Sequence, residues 1–217
     1  MSEEAMTKRL IIVGSPRPHG RSARVAQALA ARYQAQDPAS TVVVFSLADH
    51  QVLPCDACDA CAADGWRCVI EDDMQSLYSL IDRADDLTVV SPVFFAGPPA
   101  PYKAVLDRLQ VYFWRFAAKD GQKEGERLAA EGGQKEGEPP SAKGGQAETK
   151  RPLRLFMVGD GGDPHGFEPL IVCTRSAFAV AGFRLEDVYN GVGLDGEALD
   201  GLALDPAAYR FKGSSGG

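Results

Sequence analysis

The stretch Arg9–Ser22, RLIIVGSPRPHGRS, determines how the rest of the chain is organised. It begins with a short apolar run that ends at Gly14, which is typical of a buried parallel strand. Apolar residues then recur at helical intervals between Arg21 and Gln36. The sequence therefore predicts a strand, a loop over Ser15–Gly20 and a helix that starts directly at that loop.

Apolar runs and helical patterns alternate along the rest of the chain. Further strands are predicted at Thr41–Leu47, Leu87–Val90, Arg151–Val158 and Phe183–Tyr189. Further helices are predicted after Asp72 and over Pro101–Phe116, Leu170–Ala181 and Asp195–Leu204. Asp72 with Gln75 three residues later is interpreted as a capping-box variant. Five strands alternating with helices predict an α/β fold, an open five-stranded parallel sheet with helices on both faces.

Length and charge narrow the class of protein. The 217 residues favour one domain, predicted over residues 9–212 between a flexible arm (1–8) and a flexible tail (213–217). A net charge of -7 argues against a nucleic-acid-binding protein, which needs a basic face. With no apolar leader and no run long enough to span a bilayer, we expect a cytoplasmic protein without membrane contact.

Residues 119–150 differ in composition from the rest of the chain. Gly, Gln, Lys, Glu and Ala predominate there, and GQKEGE occurs at residues 121–126 and again at 133–138. Such a segment cannot bury apolar surface. We therefore predict a disordered insertion that interrupts the domain.

Four of the five cysteines, Cys55, Cys58, Cys61 and Cys68, have the spacing C-x2-C-x2-C-x6-C. This density favours thiolate ligation of an iron-sulfur cluster. A structural zinc site, reduced or redox-active thiols and disulfides are the alternatives that spacing leaves open. Disulfides are the least favoured in a reducing compartment. Cys173, alone in a helical pattern, is interpreted as a small buried apolar residue.

The loop after the first strand has the character of a phosphate site. Ser15 and Ser22 supply hydroxyl groups, Arg17 or Arg21 supplies positive charge, and the helix start supplies unpaired N–H groups. Neither the P-loop motif nor the dinucleotide motif G-x-G-x-x-G is present. A monophosphate held by a serine-rich loop remains, as in FMN-binding flavodoxin-like folds, and a simple turn is the alternative.

Three motifs in order carry a family resemblance: GSPRPHGRS, PCDACDACAADGWRC followed by EDDM, and ADDLTVVSPVFFAGPPAPYKAVLDR. Together they resemble the NAD(P)H-dependent FMN reductase and flavodoxin-like superfamily, and within it the iron-sulfur flavoprotein family. The resemblance implies strand order 2-1-3-4-5, a bound FMN and a [4Fe-4S] cluster on the four clustered cysteines. It places FMN against Ser15, Arg17, Arg21, Ser22, Pro92, Val93, Phe94, Phe95, Gly161 and Gly162.

The implied activity is that of a flavin-dependent oxidoreductase that transfers electrons. NAD(P)H is a possible donor, and the other partners would be small-molecule or ferredoxin-type electron carriers. The resemblance also implies a homo-oligomer, a dimer or tetramer, in which one subunit's cluster approaches a neighbour's flavin. No catalytic acid or base is assigned. Nearby carboxylates are expected to make cluster reduction harder, unless they are only loop and cap residues: Asp56, Asp59, Asp64 and Asp72.

Two other functions remain open from sequence. One is a cluster-free NAD(P)H-dependent FMN or quinone reductase whose cysteines are structural or bind zinc. The other is a non-catalytic electron carrier that recognises protein partners through its acidic surface. Iron and acid-labile sulfide content distinguishes the first alternative, and turnover with a reduced nicotinamide distinguishes the second.

Overall fold

The computed structural model describes residues 6–63, 65–118, 150–161 and 164–211. The strands are β1 (Lys8–Val13), β2 (Thr41–Ser46), β3 (Asp86–Pro92), β4 (Arg151–Gly159) and β5 (Phe183–Val192). The α-helices are α1 (Arg21–Gln36), α2 (Ala60–Ala63), α3 (Met74–Arg83), α4 (Ala100–Arg108), α5 (Glu168–Val180) and α6 (Gly196–Leu204). A 3-10 helix over Pro206–Tyr209 follows α6. No helix in these ranges is long and apolar enough to cross a bilayer.

The five strands are all parallel and lie in the order β2-β1-β3-β4-β5, which confirms the predicted sheet. The chain leaves β1 for β2 on one side, and β3 then pairs with β1 on the other. The carboxyl ends of β1 and β3 are therefore the switch point of the sheet, where ligands bind in folds of this type.

Two apolar layers hold the helices against the sheet. Alternate residues of β1 serve the two faces: Leu10 and Ile12 pack into the layer under α3, α4 and α5, whereas Ile11 and Val13 pack under α1 and α6. All four side chains are at most 2% exposed. The continuous apolar runs in the sequence thus reflect strands that are buried on both faces.

The start of α3 differs from the prediction. The helix begins at Met74, and the side chain of Asp73, the residue before it, does not cap it. The Met74 amide donates instead to the Asp72 carboxylate at 3.0 Å, so Asp72 binds the helix start as predicted, and it also pairs with Arg108. The Gln75 half of the capping-box interpretation is wrong, because the Gln75 side-chain amide donates to the carbonyl groups of Cys68 and Ile70.

The connection between α4 and β4 also differs in detail. The predicted helix to Phe116 is interrupted by a turn at Leu109 and continues over residues 110–118. The predicted insertion lies outside the described residues except for Lys150. Directly afterwards, the Arg151 guanidinium donates to the carbonyl oxygens of Ile81, Ala84 and Ala181. Arg151 thereby fixes β4 to the ends of α3 and α5.

Candidate cofactor site

The amino terminus of α1 is built to accept an anion. Gly20 is the cap residue and offers no side chain, and the first turn of the helix holds no acidic residue. The first N–H groups of a helix have no partner within the helix. An unfilled cap at the sheet's switch point therefore leaves these donors free for a negatively charged group.

The side chains around this terminus were those predicted from sequence. Ser15 and Ser22 are buried, and the Ser15 hydroxyl accepts the Arg17 amide at 3.1 Å. Arg17 itself is exposed, and its guanidinium makes no ion pair with any residue that the structure describes. Arg21 differs, because it pairs with Asp160. Arg17 is thus the more available charge.

Gly14 lets the loops after β1 and β3 approach closely. Its amide donates to the Val90 carbonyl at 2.8 Å. A Cβ atom at this position would lie 3.1 Å from both Ser91 Oγ and the Tyr102 side chain. A larger residue would have to displace these neighbours by a few tenths of an ångström, so glycine favours close contact between the ends of β1 and β3.

A tight hairpin follows β3. Phe94 and Gly97 exchange two backbone hydrogen bonds of 3.0 Å, and the residues between them, Phe95 and Ala96, have φ values of 49° and 62°. Two positive φ values are the requirement of a type I′ turn, which glycine and asparagine normally fill. The Ala96 carbonyl accepts the Leu170 amide of α5, which fixes the hairpin to the protein.

Phe95, at the tip of this hairpin, is 100% exposed, and its neighbour Phe94 is 46% exposed. A bulky residue in the left-handed region is strained, and such strain persists mainly where the position has a function. Pro92 and Val93 connect the hairpin to β3 and are half-buried. The structure thus places an aromatic, apolar surface directly after β3, the strand that pairs with β1.

The loop after β4 forms the other side of this edge. Gly161 is exposed, and a Cβ atom there would meet nothing within 4 Å, so space is open beside it. Gly162 lies outside the described residues. The donors, the open space and the aromatic hairpin therefore fit a phosphorylated ring system such as FMN.

The cysteine loop, defined here as residues 54–69, borders a separate cavity of about 730 Å³. Its walls are this loop, α4, residues 110–113 and α5. Five thiol side chains line it: Cys55, Cys58, Cys61, Cys68 and Cys173. Cys173, interpreted from sequence as a buried apolar residue, is half-buried and packs against the core from the opposite wall.

The thiols share the cavity without forming a finished metal site. All five are free cysteines. Within the described ranges, no three His, Cys, Asp or Glu side chains lie close enough together to hold a metal ion. Burial, and then the neighbouring Cys68 thiol, raises the pKa of Cys61. The donor set suits a thiolate-bound cluster, but the side chains must turn inward to bind one.

The backbone of the loop supports that use. Ala57 and Asp59, on either side of Cys58, have φ values of 55° and 57°. Left-handed residues alternating with others turn successive N–H groups towards a common centre, which is a feature of anion and iron-sulfur sites. The Asp72 carboxylate contributes less negative charge near the loop than the sequence suggests, because it is paired with Arg108.

A parallel sheet of this order with an anion-accepting loop at its switch point defines a flavodoxin-like protein. A family model described as NADPH-dependent FMN reductase matches residues 7–131. This match covers more than half of the chain, and the chain therefore belongs to that family.

Two curated relatives are similar to part of this chain. The iron-sulfur flavoprotein of Methanosarcina thermophila is 41% identical over 68 residues, 31% of this chain and 35% of the relative. That of Methanocaldococcus jannaschii is 38% identical over 98 residues, 45% of this chain and 49% of the relative. The matches thus span between a third and a half of these relatives.

An azoreductase structure from Bacillus anthracis superimposes with a TM-score of 0.61 at 17% sequence identity, covering 94% of this chain and 97% of the azoreductase. At that identity the likeness shows the shared fold alone.

Proposed function

We propose that this chain is an FMN-dependent oxidoreductase that accepts electrons from NAD(P)H and transfers them through a [4Fe-4S] cluster on its cysteine loop. The observation that carries the proposal is the meeting of an uncapped helix terminus, two buried serines and an exposed aromatic hairpin at the switch point. Bound FMN supplies two-electron chemistry and release of single electrons, and a cluster supplies one-electron transfer.

The chain's own residues position the flavin. The first-turn N–H groups of α1 and the hydroxyls of Ser15 and Ser22 would hold the phosphate, and Arg17 would neutralise its charge. Arg21 would contribute a second positive charge from its pair with Asp160. We assign no catalytic acid or base, because the redox chemistry resides in the cofactors.

The ring system would rest on residues 92–95. Phe94 and Phe95 present apolar surface to solvent that a flavin would cover, and the closure of the hairpin fixes their direction. Gly161 leaves room on the opposite side, and we propose Gly162 as a further flavin contact there. Removing such exposed aromatic surface from water is itself favourable for binding.

A comparison of FMN with riboflavin tests the phosphate site. Arg17→Met and Ser22→Ala are expected to weaken FMN binding about tenfold, since a charge-assisted hydrogen bond contributes about 1.5 kcal/mol. Riboflavin has no phosphate, so its affinity should be unchanged in the same variants. Equal losses for both ligands, or no loss for FMN, would contradict the assignment.

For the cluster, Cys55, Cys58, Cys61 and Cys68 are the proposed ligands, in agreement with the names of the curated relatives. The test is the iron and acid-labile sulfide content of the flavin-loaded protein, purified without oxygen. Near-equal amounts of iron and sulfide, lost together in Cys58→Ser, are expected. Bound flavin without iron would reject the cluster.

A cluster-free FMN or quinone reductase is the second candidate. It is favoured by one observation: no three of the described thiols lie within reach of a common metal ion. It predicts full NAD(P)H turnover in Cys58→Ser, with zinc or no metal bound. A non-catalytic electron carrier predicts no such turnover and rapid exchange with a ferredoxin.

We further propose a homo-oligomer located in the cytoplasm. Exposed apolar side chains lie on the hairpin and around the cysteine cavity: Val69, Phe94, Phe95, Phe113 and Val172. Such a face is a candidate contact for a second copy of the chain. Sedimentation of the flavin-loaded protein tests this, and a monomer at micromolar concentration would contradict it.

A further inference from the structure

We propose that Arg108 is a positioning residue that fastens both ends of the cysteine loop. This inference deepens the proposed function, because it names the residue that keeps the four thiols near their common cavity. Arg108 is the last residue of α4, and it is 1% exposed.

The guanidinium of Arg108 reaches both flanks of the loop at once. Its Nη1 atom donates to the Leu53 carbonyl at 3.1 Å, and its Nη2 atom donates to the Ile70 carbonyl at 3.2 Å. Leu53 immediately precedes the loop, and Ile70 immediately follows it. A single side chain therefore holds together the two points at which the loop leaves the protein.

Asp72 adds further hydrogen bonds to Arg108 and to the start of the loop. Its two carboxylate oxygens accept from Arg108 at 2.8 and 3.2 Å, and one of them also accepts the Leu53 amide at 2.8 Å. The two side chains are 0% and 4% exposed. Burial is the largest effect and disfavours the charged guanidinium, but the hydrogen bonds to Asp72 and the neighbouring Tyr78 and Cys68 side chains together raise the pKa of Arg108. Arg108 therefore stays charged despite its burial.

The rest of the loop is weakly held in the part of the chain that the structure describes. No described residue between 54 and 69 is buried, and α2 contributes nothing to the core. The geometry of such a segment depends on how its ends are held. The Gln75 amide adds a hydrogen bond to the Cys68 carbonyl, and the Tyr78 hydroxyl holds Arg108 through its carbonyl at 2.7 Å.

Arginine is required at this position for its shape as well as its charge. Four acceptor atoms surround the guanidinium: the carbonyls of Leu53 and Ile70 and both oxygens of Asp72. The planar guanidinium of arginine has several N–H donors and can bind all four acceptors at once, whereas the lysine ammonium is a single point of charge. Lysine at this position would keep the ion pair with Asp72 but lose the hydrogen bond to at least one of the two carbonyls, that of Leu53 or that of Ile70.

Amide hydrogen exchange of the flavin-loaded protein tests this role without relying on activity. The reporter amides are those of Gln51 and Leu53, which donate to Asp73 and Asp72. We expect at least tenfold faster exchange at both in Arg108→Met and in Arg108→Lys. The lysine variant also serves if the methionine variant, which leaves the Asp72 charge buried, does not fold.

Arg154→Met is the matched control. Arg154 forms a part-buried ion pair with Asp86 at 2.7 Å, at the amino end of β3 and therefore at the opposite end of the strands from the cysteine loop. Its loss should leave exchange at Gln51 and Leu53 unchanged. The proposal would be overturned if exchange at these amides were unchanged in both Arg108 variants, or if it were accelerated equally in Arg154→Met. It would also be overturned if Arg108→Lys protected both amides as fully as the unaltered chain does.

Metal retention separates this inference from the proposed cluster. After anaerobic dilution, Arg108→Lys should lose iron and sulfide at least fivefold faster than the unaltered chain, and Arg154→Met should not. Equal rates of loss in all three proteins would overturn the role of Arg108. If the unaltered chain holds no iron at all, the cluster assignment fails, while the exchange measurement still decides whether Arg108 fastens the loop.

Discussion

Arg21, the first residue of α1, forms an ion pair with Asp160, the residue that follows β4. A second contact, from Arg21 Nη1 to the Gly159 carbonyl at 3.4 Å, joins the same two segments. The pair links the loops after the first and fourth strands across the carboxyl edge of the sheet. It also places a carboxylate beside the helix terminus at which we propose that a phosphate binds.

Asp160→Asn should therefore tighten FMN binding about fivefold. The substitution removes a negative charge near the phosphate and releases Arg21, and one exposed charge interaction contributes about 1 kcal/mol. Titration of flavin fluorescence measures the affinity, and the gain should shrink in high salt. Riboflavin affinity serves as the control and should not change. Weaker FMN binding would show instead that Asp160 supports the site by holding Arg21.

Phe95→Gly should make the protein more stable and its flavin site weaker. Glycine adopts the φ of 49° without strain, so we expect the free energy of unfolding to rise by about 1 kcal/mol. Loss of the exposed aromatic surface should lower the affinity for FMN and riboflavin equally. Urea unfolding and flavin titration measure the two effects. Unchanged affinity for both ligands would place the ring system elsewhere.

The Arg108–Asp72 pair should tune the reduction potential of a bound cluster in opposite directions. Arg108→Met leaves a buried negative charge and should lower the potential, whereas Asp72→Asn leaves a positive charge and should raise it. We expect each shift to be on the order of 50 mV, equivalent to about 1 kcal/mol. A redox titration checks this, and shifts of the same sign would indicate loosening of the loop without an effect of charge.

Tyr102 and Thr174 should behave as a coupled buried pair. Their hydroxyl groups lie 3.1 Å apart between α4 and α5, and both residues are fully buried. Tyr102→Phe should cost about 2 kcal/mol, because it leaves the Thr174 hydroxyl without a partner. Adding Thr174→Val should recover most of that loss. Additive losses in urea unfolding would mean that the two hydroxyls do not interact.

Stability should fall steeply in alkali. Burial raises the pKa of Tyr78, Tyr102 and Tyr112 above 10 in the folded protein. In the unfolded chain these phenols ionise near pH 10, so only the unfolded state loses protons above that pH and becomes favoured. The free energy of unfolding of the cofactor-free protein should therefore decrease as the pH rises above about 10. Tyr102→Phe should flatten the decline, and an unchanged slope would contradict this origin.

The regular elements were predictable because their signals are local. The apolar run before Gly14, the helical spacing after Arg21 and the helical pattern over Asp195–Leu204 each occur within a few residues, and the structure contains all three elements. Asp72 binds the Met74 amide at the start of α3, as its local pattern predicted. Its second partner, Arg108, was not predicted, because it lies 36 residues away and no local pattern indicates that contact.

In the candidate site, too, the features with local sequence signals were predicted and those that depend on distant contacts were not. Serine and arginine types beside a helix start predicted an anion site, and four closely spaced cysteines predicted thiolate chemistry. Sequence gave no sign that Cys173 faces the same cavity as the clustered cysteines. One signal for Arg108 was present: it lies three residues after Val105 on the apolar face of α4, where a charged residue needs a buried partner.

By itself, the sequence determined the parallel sheet, the loops that meet at its carboxyl edge and the resemblance to flavin-binding reductases, because hydrophobic periodicity and short motifs are encoded by neighbouring residues. Only the tertiary structure decided the pairing of Arg21 with Asp160, the strained conformation of Phe95 and the fastening of the cysteine loop by Arg108. These features depend on which distant side chains and carbonyl groups meet once the sheet has formed, and burial makes such meetings strong.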